Sequence, residues 1–445
     1  MNANESLSLK ELDQSKIQRF HWRIIFTAGM GFFTDAYDLF VIGIVTALLR
    51  PIWGLSIEQL ALLNGAALAA AACGSVFFGI LADKLGRKKM YGVETAILFF
   101  GAILSAVSPS FVWLLISRIL VGLGIGGDYP SSALIASENA GKSHRGFVVL
   151  LVFAMQALGL IVGPMIASLL LSCHLSVDVV WRLLLGLGAI PAASVFYLRR
   201  RIQESPRFLM TQNAPYEVSR VIADLTGFTQ KERKVSKRQA LYQRPWCGYL
   251  LGTAGAWFLL DIAFYGNSVS SMLILKALNP SADMLRNTLL SASIFLVFAV
   301  PGYIAAAFFV DKIGRKYLQF LGFIMMALMY ALLALFPELH SHLYAFILVF
   351  GISFFFTNFG PNTTTFLIPA EIYPTSIRGK AHGFSAAIGK VGAFIGAFFL
   401  PFILQHEGLY FTMGLMSIVC FLGILTTFLV PEMKGQSLDV VDEKG

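Results

Sequence analysis

The sequence predicts an all-α membrane protein of twelve spans in two six-helix halves, and three observations carry that prediction. Of 445 residues, 57% are hydrophobic and 13% are charged, whereas soluble globular chains run nearer half apolar and a quarter charged. Apolar stretches long enough to cross the bilayer as a helix recur along the whole length. Two short charged motifs of the first half return in the second at nearly the same offset.

The expected spans are 22–48, 58–82, 90–108, 111–137, 147–172, 179–198, 247–275, 286–309, 317–336, 342–369, 380–404 and 408–430, each boundary good to ~4 residues. The residues before Phe20 are polar and show no cleavable signal, so the first span is expected to act as the insertion signal. An even number of spans puts both termini on one side. Cations gather there: Lys10, Lys16, Arg19 and Arg23; Lys84, Arg87, Lys88 and Lys89; Lys142 and Arg145; the basic run from Arg199 to Arg244; Lys312, Arg315 and Lys316; Arg378 and Lys380. The opposite loops hold little beyond Arg50, Arg182, Lys276 and Arg286. By the positive-inside rule, both termini and the middle loop are expected to be cytoplasmic. The net charge of +9 is then topological, with some attraction for anionic lipid heads, and calls for no nucleic-acid partner. Cys73, Cys173, Cys247 and Cys420 are scattered singly, without disulfide or metal-ligand spacing, and are expected as small core residues. No metal, cofactor or enzymatic nucleophile–base pair is evident.

The one long polar stretch, 201–246, separates an N-terminal bundle, 1–200, from a C-terminal bundle, 247–445. Asp83-Lys84-Leu85-Gly86-Arg87-Lys88 recurs as Asp311-Lys312-Ile313-Gly314-Arg315-Lys316, and Glu138 with Arg145-Gly146 recurs as Glu371 with Arg378-Gly379. Duplicated six-helix units facing each other across a midplane cavity are the architecture of major facilitator transporters. Asp83, Arg87, Asp311 and Arg315 are expected to form a charge-paired latch at the cytoplasmic ends. Glu138–Arg145 and Glu371–Arg378 read as gate or tether pairs rather than ligands.

Within the spans, the polar residues stand out. Gly124-Ile125-Gly126-Gly127-Asp128-Tyr129-Pro130-Ser131-Ser132-Ala133 lies inside the apolar run from Phe111 to Ala136. An ionisable group there costs roughly 3 kcal/mol on insertion scales and marks a pathway or a site. Gly122 and Gly126 share a face and admit a close neighbouring helix; their likeness to a nucleotide fingerprint fails because no strand precedes them. Across the duplication, Asp35 corresponds to Asp261, Tyr129 to Asn362 and Gln156 to Lys390, each within about two residues, so these are expected to converge on the pseudo-two-fold axis. Asp35 and Asp38 share a helix face, as do Trp257, Asp261 and Tyr265. Lys390 is the clearest cation in an apolar stretch and needs an anion, either a protein carboxylate or the substrate. Carboxyls taken out of water favour their protonated form, so Asp35, Asp38, Asp128 and Glu94 form a candidate proton route. The residue types imply an anionic or strongly polar substrate and proton coupling. Arg118 reads as a charge satisfied by carbonyls or a carboxylate, His382 as capping or interfacial, and Phe354-Phe355-Phe356 as packing or lipid-facing surface.

Four stretches carry a family resemblance: Gly31-Phe32-Phe33-Thr34-Asp35-Ala36-Tyr37-Asp38-Leu39-Phe40; Gly126-Gly127-Asp128-Tyr129-Pro130; Asn358-Phe359-Gly360-Pro361-Asn362-Thr363-Thr364-Thr365-Phe366; and Ala381-His382-Gly383-Phe384-Ser385-Ala386-Ala387-Ile388-Gly389-Lys390. Together with the Trp257–Asp261–Tyr265 face, they resemble the phosphate:proton symporter family of fungi and plants, from span 1 to span 12. The resemblance implies proton-coupled uptake of inorganic phosphate by a monomer in the plasma membrane. It implies that Tyr129, Gln156, Trp257, Asp261, Tyr265, Asn362 and Lys390 hold dihydrogen phosphate, and that Asp35, Asp38, Glu94 and Asp128 carry protons. Two departures stand: Ser131 replaces the leucine usual after the proline, which bears on the pocket wall, and the middle loop is much shorter than in eukaryotic members, which bears on regulation through it. The alternatives are a carrier of a sugar, polyol or organic anion, since Gln203-Glu204-Ser205-Pro206-Arg207-Phe208 and Pro431-Glu432-Met433-Lys434-Gly435 resemble sugar-porter loops, and a nutrient-sensing receptor on the same fold.

Overall fold

A computed structural model describes residues 13, 16–173, 175–200, 202, 204–212 and 240–443. Residues 213–239 of the expected linker, and Gln203 of the loop after span 6, lie outside the described residues. Among the described residues, twelve helices are long and apolar enough to span a membrane: α1 (Arg19–Trp53), α2 (Ile57–Leu85), α3 (Arg87–Ala106), α4 (Phe111–Glu138), α5 (Arg145–Ser172), α6 (Val177–Arg199), α7 (Trp246–Val269), α8 (Met284–Ile313), α9 (Arg315–Leu335), α10 (Leu343–Glu371), α11 (Arg378–His406) and α12 (Gly408–Thr427). The clearest boundary difference is in α7, which stops at Val269 rather than 275; the chain turns at Ser270 and restarts as a short helix, Ser271–Leu278.

Small residues set the packing. A side chain at Gly122 or Gly126 would collide with the carbonyls of Ala67 and Ala71, so these two glycines seat α4 on α2. With no hydrophobic drive between helices in lipid, such close backbone contact is a main source of adhesion. The two bundles meet along two equivalent seams, α2 against α11 and α5 against α8. On the first, Gly79 lies against Gly379 and Gly383 with no room for a Cβ.

The helix ends nearest the termini are tied by carboxylates that cap backbone N–H groups, the natural anion sites of helix N-termini. Asp83 accepts from Gly379 N (3.0 Å) and Lys380 N (2.8 Å) at the start of α11, and Asp311 accepts from Phe147 N (2.8 Å) in the first turn of α5. Both contacts cross from one bundle to the other. Glu204 caps α3 through Arg87 N and Lys88 N, both 3.1 Å; Glu432 caps α9 through Arg315 N (3.1 Å) and Lys316 N (2.9 Å). Burial pushes the Glu204 carboxyl above its ordinary range, against the pull of the Arg87 guanidinium. Gly86 and Gly314 take φ of 100° and 112° in the duplicated loops, a region that side chains rarely adopt.

The cysteines correct one expectation: only Cys420 is buried, while Cys73, Cys173 and Cys247 face outward. The Phe354–Phe356 run is packing surface, with Phe354 buried.

Candidate functional site

Breaks in the spans position the polar residues. α5 is interrupted at Met155, so Gln156 opens its second segment. α10 is interrupted at Gly360, and Pro361 and Asn362 start the next segment. Proline suits this first turn because its missing N–H has no partner there anyway. On α11, a Cβ at Gly389 would run into the Trp257 indole, so its absence lets α7 close on the residue that precedes Lys390.

Lys390 is the centre of the arrangement. Its Nζ donates to Asp261 Oδ2 at 3.2 Å and to Tyr265 Oη at 2.9 Å, and it lies 4.3 Å from the Tyr129 ring centroid and 4.4 Å from that of Tyr265. The two phenol oxygens, one from each bundle, are 3.2 Å apart. All four side chains are buried, none more than 2% exposed. A charge pair at that distance attracts by about 5 kcal/mol at an effective dielectric of ~20, against a desolvation cost of similar order. The pair is therefore close to balance, and a second anion can compete for the ammonium. Trp257 stands 5.9 Å from Tyr129, centroid to centroid. Asn362 donates to Tyr303 Oη (2.6 Å) and Asn358 Oδ1 (2.7 Å), forming an amide cluster beside the centre. Gln156 is buried, with its amide nitrogen unpartnered. Ser131 is buried too, and its hydroxyl has no partner.

Three of the four expected proton-path acids, Asp38, Glu94 and Asp128, are divided between two arginines. Arg118 donates to Asp38 Oδ1 (3.5 Å) and to the Asp38 carbonyl (3.0 Å), so a carboxylate and a carbonyl both satisfy it. Arg199 binds Asp128 at 2.7 Å and Thr95 Oγ1 at 2.8 Å, and lies 3.5 Å from Glu94. Asp128 also accepts from Ser132 at 2.6 Å. This corrects the reading of Arg199 as the start of a basic loop: it is fully buried and closes the acid cluster. A Cβ at Gly31 would strike both Arg199 and Asp128, which explains the glycine in the first motif. Asp35 is 1% exposed, and neither of its carboxylate oxygens has a hydrogen-bond partner.

Aromatic rings close the centre at both ends. Toward the termini, Phe153 stacks on Phe366 at 4.5 Å and Phe32 meets both at 5.1 Å. Toward the other end, Tyr265 stacks on Phe40 at 5.5 Å, with Phe264 and Phe295 packed around it. His382 is fully buried between Trp257 and Phe366, 3.1 Å from the Phe366 carbonyl; the capping or interfacial expectation is corrected, because two rings and a carbonyl draw it inside.

The charged residues of the two repeated motifs are paired, but their pairing differs from the expectation. Glu138 and Arg145 are not partners, nor are Glu371 and Arg378. Glu138 binds Arg378 (3.3 Å) across the bundle interface and Arg87 (3.0 Å) within its own bundle. Glu371 mirrors this with Arg145 (2.8 Å) across and Arg315 (2.9 Å) within. Arg87 and Arg315 also lie near Asp83 (3.6 Å) and Asp311 (2.8 Å). Two carboxylates each shared by two buried arginines lock this end. At the other end a cavity of about 370 Å³ opens between α1, α2, α7, α8 and α11.

The chain matches the sugar (and other) transporter family over residues 24–444. It is 37% identical to inorganic phosphate transporter 1-4 of Arabidopsis thaliana, covering 98% of this chain and 96% of that protein. It is also 37% identical to low affinity inorganic phosphate transporter 1 of Petunia hybrida, covering 98% and 95%. Among solved structures it resembles the proton:xylose symporter XylE bound to 6-bromo-6-deoxy-D-glucose, with a TM-score of 0.82 at 18% identity over 96% of this chain and 99% of that one. The inward open conformation of the xylose transporter XylE from E. coli matches less well, at 0.70 and 19% identity over 95% and 99%. Full-length identity to the plant proteins and the shared twelve-helix fold lead to one assignment. The chain belongs to the sugar (and other) transporter family, and within it to the group of the plant inorganic phosphate transporters.

Proposed function

We propose that this protein is a secondary active transporter that takes up inorganic phosphate with protons by alternating access. The observation that carries the reading is Lys390, buried between Asp261, Tyr265 and Tyr129 where the two bundles meet, in a chain similar over its whole length to proteins named inorganic phosphate transporters. Dihydrogen phosphate suits such a centre because it both donates and accepts: its hydroxyls bond Asp261 while its charge faces Lys390. Tyr129, Tyr265, Trp257, Gln156 and Asn362 offer neutral groups around it, in a site that must also release its cargo. A cluster of arginines would hold an oxyanion with bidentate bonds; the two nearby arginines, Arg118 and Arg199, are already committed to carboxylates.

In this reading the first six spans, 1–200, carry the proton path and the last six, 247–445, clamp the substrate, joined by the linker 201–246. Asp35 is the proton carrier in the state described, because an ionised carboxylate buried with neither oxygen hydrogen-bonded is costly. Asp38, Glu94 and Asp128 extend the path. Binding of the anion draws Lys390 from Asp261, and protonation of the first bundle removes charge from the interface; together they permit the bundles to rock. The cationic bias of the loops supports both termini being cytoplasmic; in this reading the protein takes up phosphate across the plasma membrane, acting as a monomer because one chain holds both bundles. The latched end then faces the cytoplasm and the cavity faces outward.

Uptake of radiolabelled phosphate into proteoliposomes, with a competition panel of phosphate, arsenate, sulfate, glucose and benzoate, tests the substrate. Saturable phosphate uptake with competition by arsenate is expected; no saturable phosphate uptake, or competition by glucose or benzoate as strong as that by arsenate, would overturn the reading.

A further inference from the structure

The cavity at the end away from the termini has a composition its position does not require. The expected topology leaves few cations there, yet two of them, Arg50 and Lys276, line this one cavity. They come from opposite bundles: Arg50 from the end of α1, and Lys276 from the short helix that follows α7. No aspartate or glutamate lines it, and neither cation has an ion-pair partner among the described residues. By contrast, Arg182, on the same end, is bound to Asp178 at 3.0 Å.

Deeper in, the wall offers amides. Thr46 lies 3.0 Å from the Asn64 amide and 3.1 Å from the Gly43 carbonyl, which holds that amide in the cavity wall. Asn287 is 2% exposed, and its Oδ1 has no hydrogen-bond partner; as an acceptor it can take a proton from a hydrating water or from the hydroxyl of a protonated oxyanion, not bind a bare anionic oxygen. The floor of the cavity includes Val269, one helical turn beyond Tyr265. The Phe40–Tyr265 stack therefore separates the cavity from Lys390. A volume of about 370 Å³ is roughly that of a dozen waters at about 30 Å³ each, so an ion inside keeps much of its hydration.

We propose that this vestibule is a second, hydrated oxyanion subsite in which Arg50 and Lys276 hold the anion outside the Phe40–Tyr265 plug before it passes to Lys390. The route to Lys390 rests on the transport reading above; binding in the vestibule does not. Paired cations at a low-dielectric mouth raise the local anion concentration and the encounter rate, and the gain falls as salt screens it. The vestibule selects charge and size, whereas the centre selects the hydrogen-bond pattern. Sulfate, which has no proton to donate near neutral pH, should enter the first and be refused by the second.

Two measurements on the purified full-length protein test this. In proteoliposomes, Arg50→Gln with Lys276→Gln is expected to raise the KM for labelled phosphate about five- to tenfold at low ionic strength, leave kcat unchanged, and flatten the salt dependence. The charge-keeping pair Arg50→Lys with Lys276→Arg should restore both the KM and the salt dependence. An unchanged KM and salt dependence would overturn the proposal. The second measurement is equilibrium binding of labelled sulfate to Lys390→Met/Asp261→Asn, which removes both central charges together and leaves neither buried alone. Weak, salt-sensitive binding is expected to persist there and to vanish when Arg50→Gln and Lys276→Gln are added. Absence of that binding, or its indifference to the rim substitutions, would overturn the vestibule. If the unmodified protein moves no phosphate while sulfate binding follows the rim charges, the vestibule stands and the transport reading falls.

Discussion

Lys390 and Asp261 bear most of the account's weight at the scale of single residues. Lys390→Ala leaves Asp261 buried and alone, and uptake should fall to background. Lys390→Arg keeps the charge but exchanges a compact ammonium for a planar fork, and should retain only a small fraction of the rate; steady-state uptake measures both. Arg199 makes a different prediction. Arg199→Gln strands Asp128 and Glu94 without their cation, at a cost of about 3–5 kcal/mol for breaking a buried pair. The protein should therefore lose thermal stability as well as transport, whereas Gln156→Ala should affect transport alone, since its amide nitrogen has no partner to lose. Lys390, Asp261, Tyr129 and Asp128 were legible in the sequence because each interrupts a long apolar run, where a polar group needs a reason. Arg199 was not, because Arg199-Arg200-Arg201 looks like the first loop residues after a span. His382 was misjudged for a related reason: sequence position near a helix start does not reveal the two aromatic rings that enclose it.

Among helices, the latch makes the sharpest statement. Its motifs could be read from their repetition, but their partners could not. Glu138 and Arg145 are close in sequence, and only the folded arrangement sends each across the interface to the opposite bundle. Glu138→Gln should free Arg87 and Arg378 at once and bias the molecule toward opening at the terminal end. The distance between spin labels on the exposed positions Lys142 and Lys312, one on each bundle, would report it as a longer population that unmodified protein lacks. Glu138→Gln and Arg378→Gln share one network, so their effects should be less than additive. Unchanged label distances in both variants would mean that the capping contacts of Asp83 and Asp311 close this end unaided. The glycines that seat α4 on α2 were visible as a spaced pair. The break at Met155 was not, since nothing local forbids a continuous helix there, whereas the one at Gly360 carries its own signal in Gly360-Pro361.

At the scale of the whole molecule, the two equivalent seams, α2 with α11 and α5 with α8, allow the bundles to rock while the centre stays in place. Twelve spans and their duplication followed from hydropathy and repetition alone, because lipid forces nearly every spanning segment into a helix. The state of the molecule did not follow. Closure at the terminal end and a cavity at the other depend on which of two near-balanced packings is adopted, and a sequence that cycles must encode both. The most direct test is accumulation of radiolabelled phosphate in proteoliposomes under an imposed proton gradient. Concentrative uptake is expected when the outside is the more acidic, with collapse of that uptake on adding a protonophore and no uptake by Lys390→Ala. Accumulation indifferent to the gradient, or undiminished in Lys390→Ala, would contradict the transport reading.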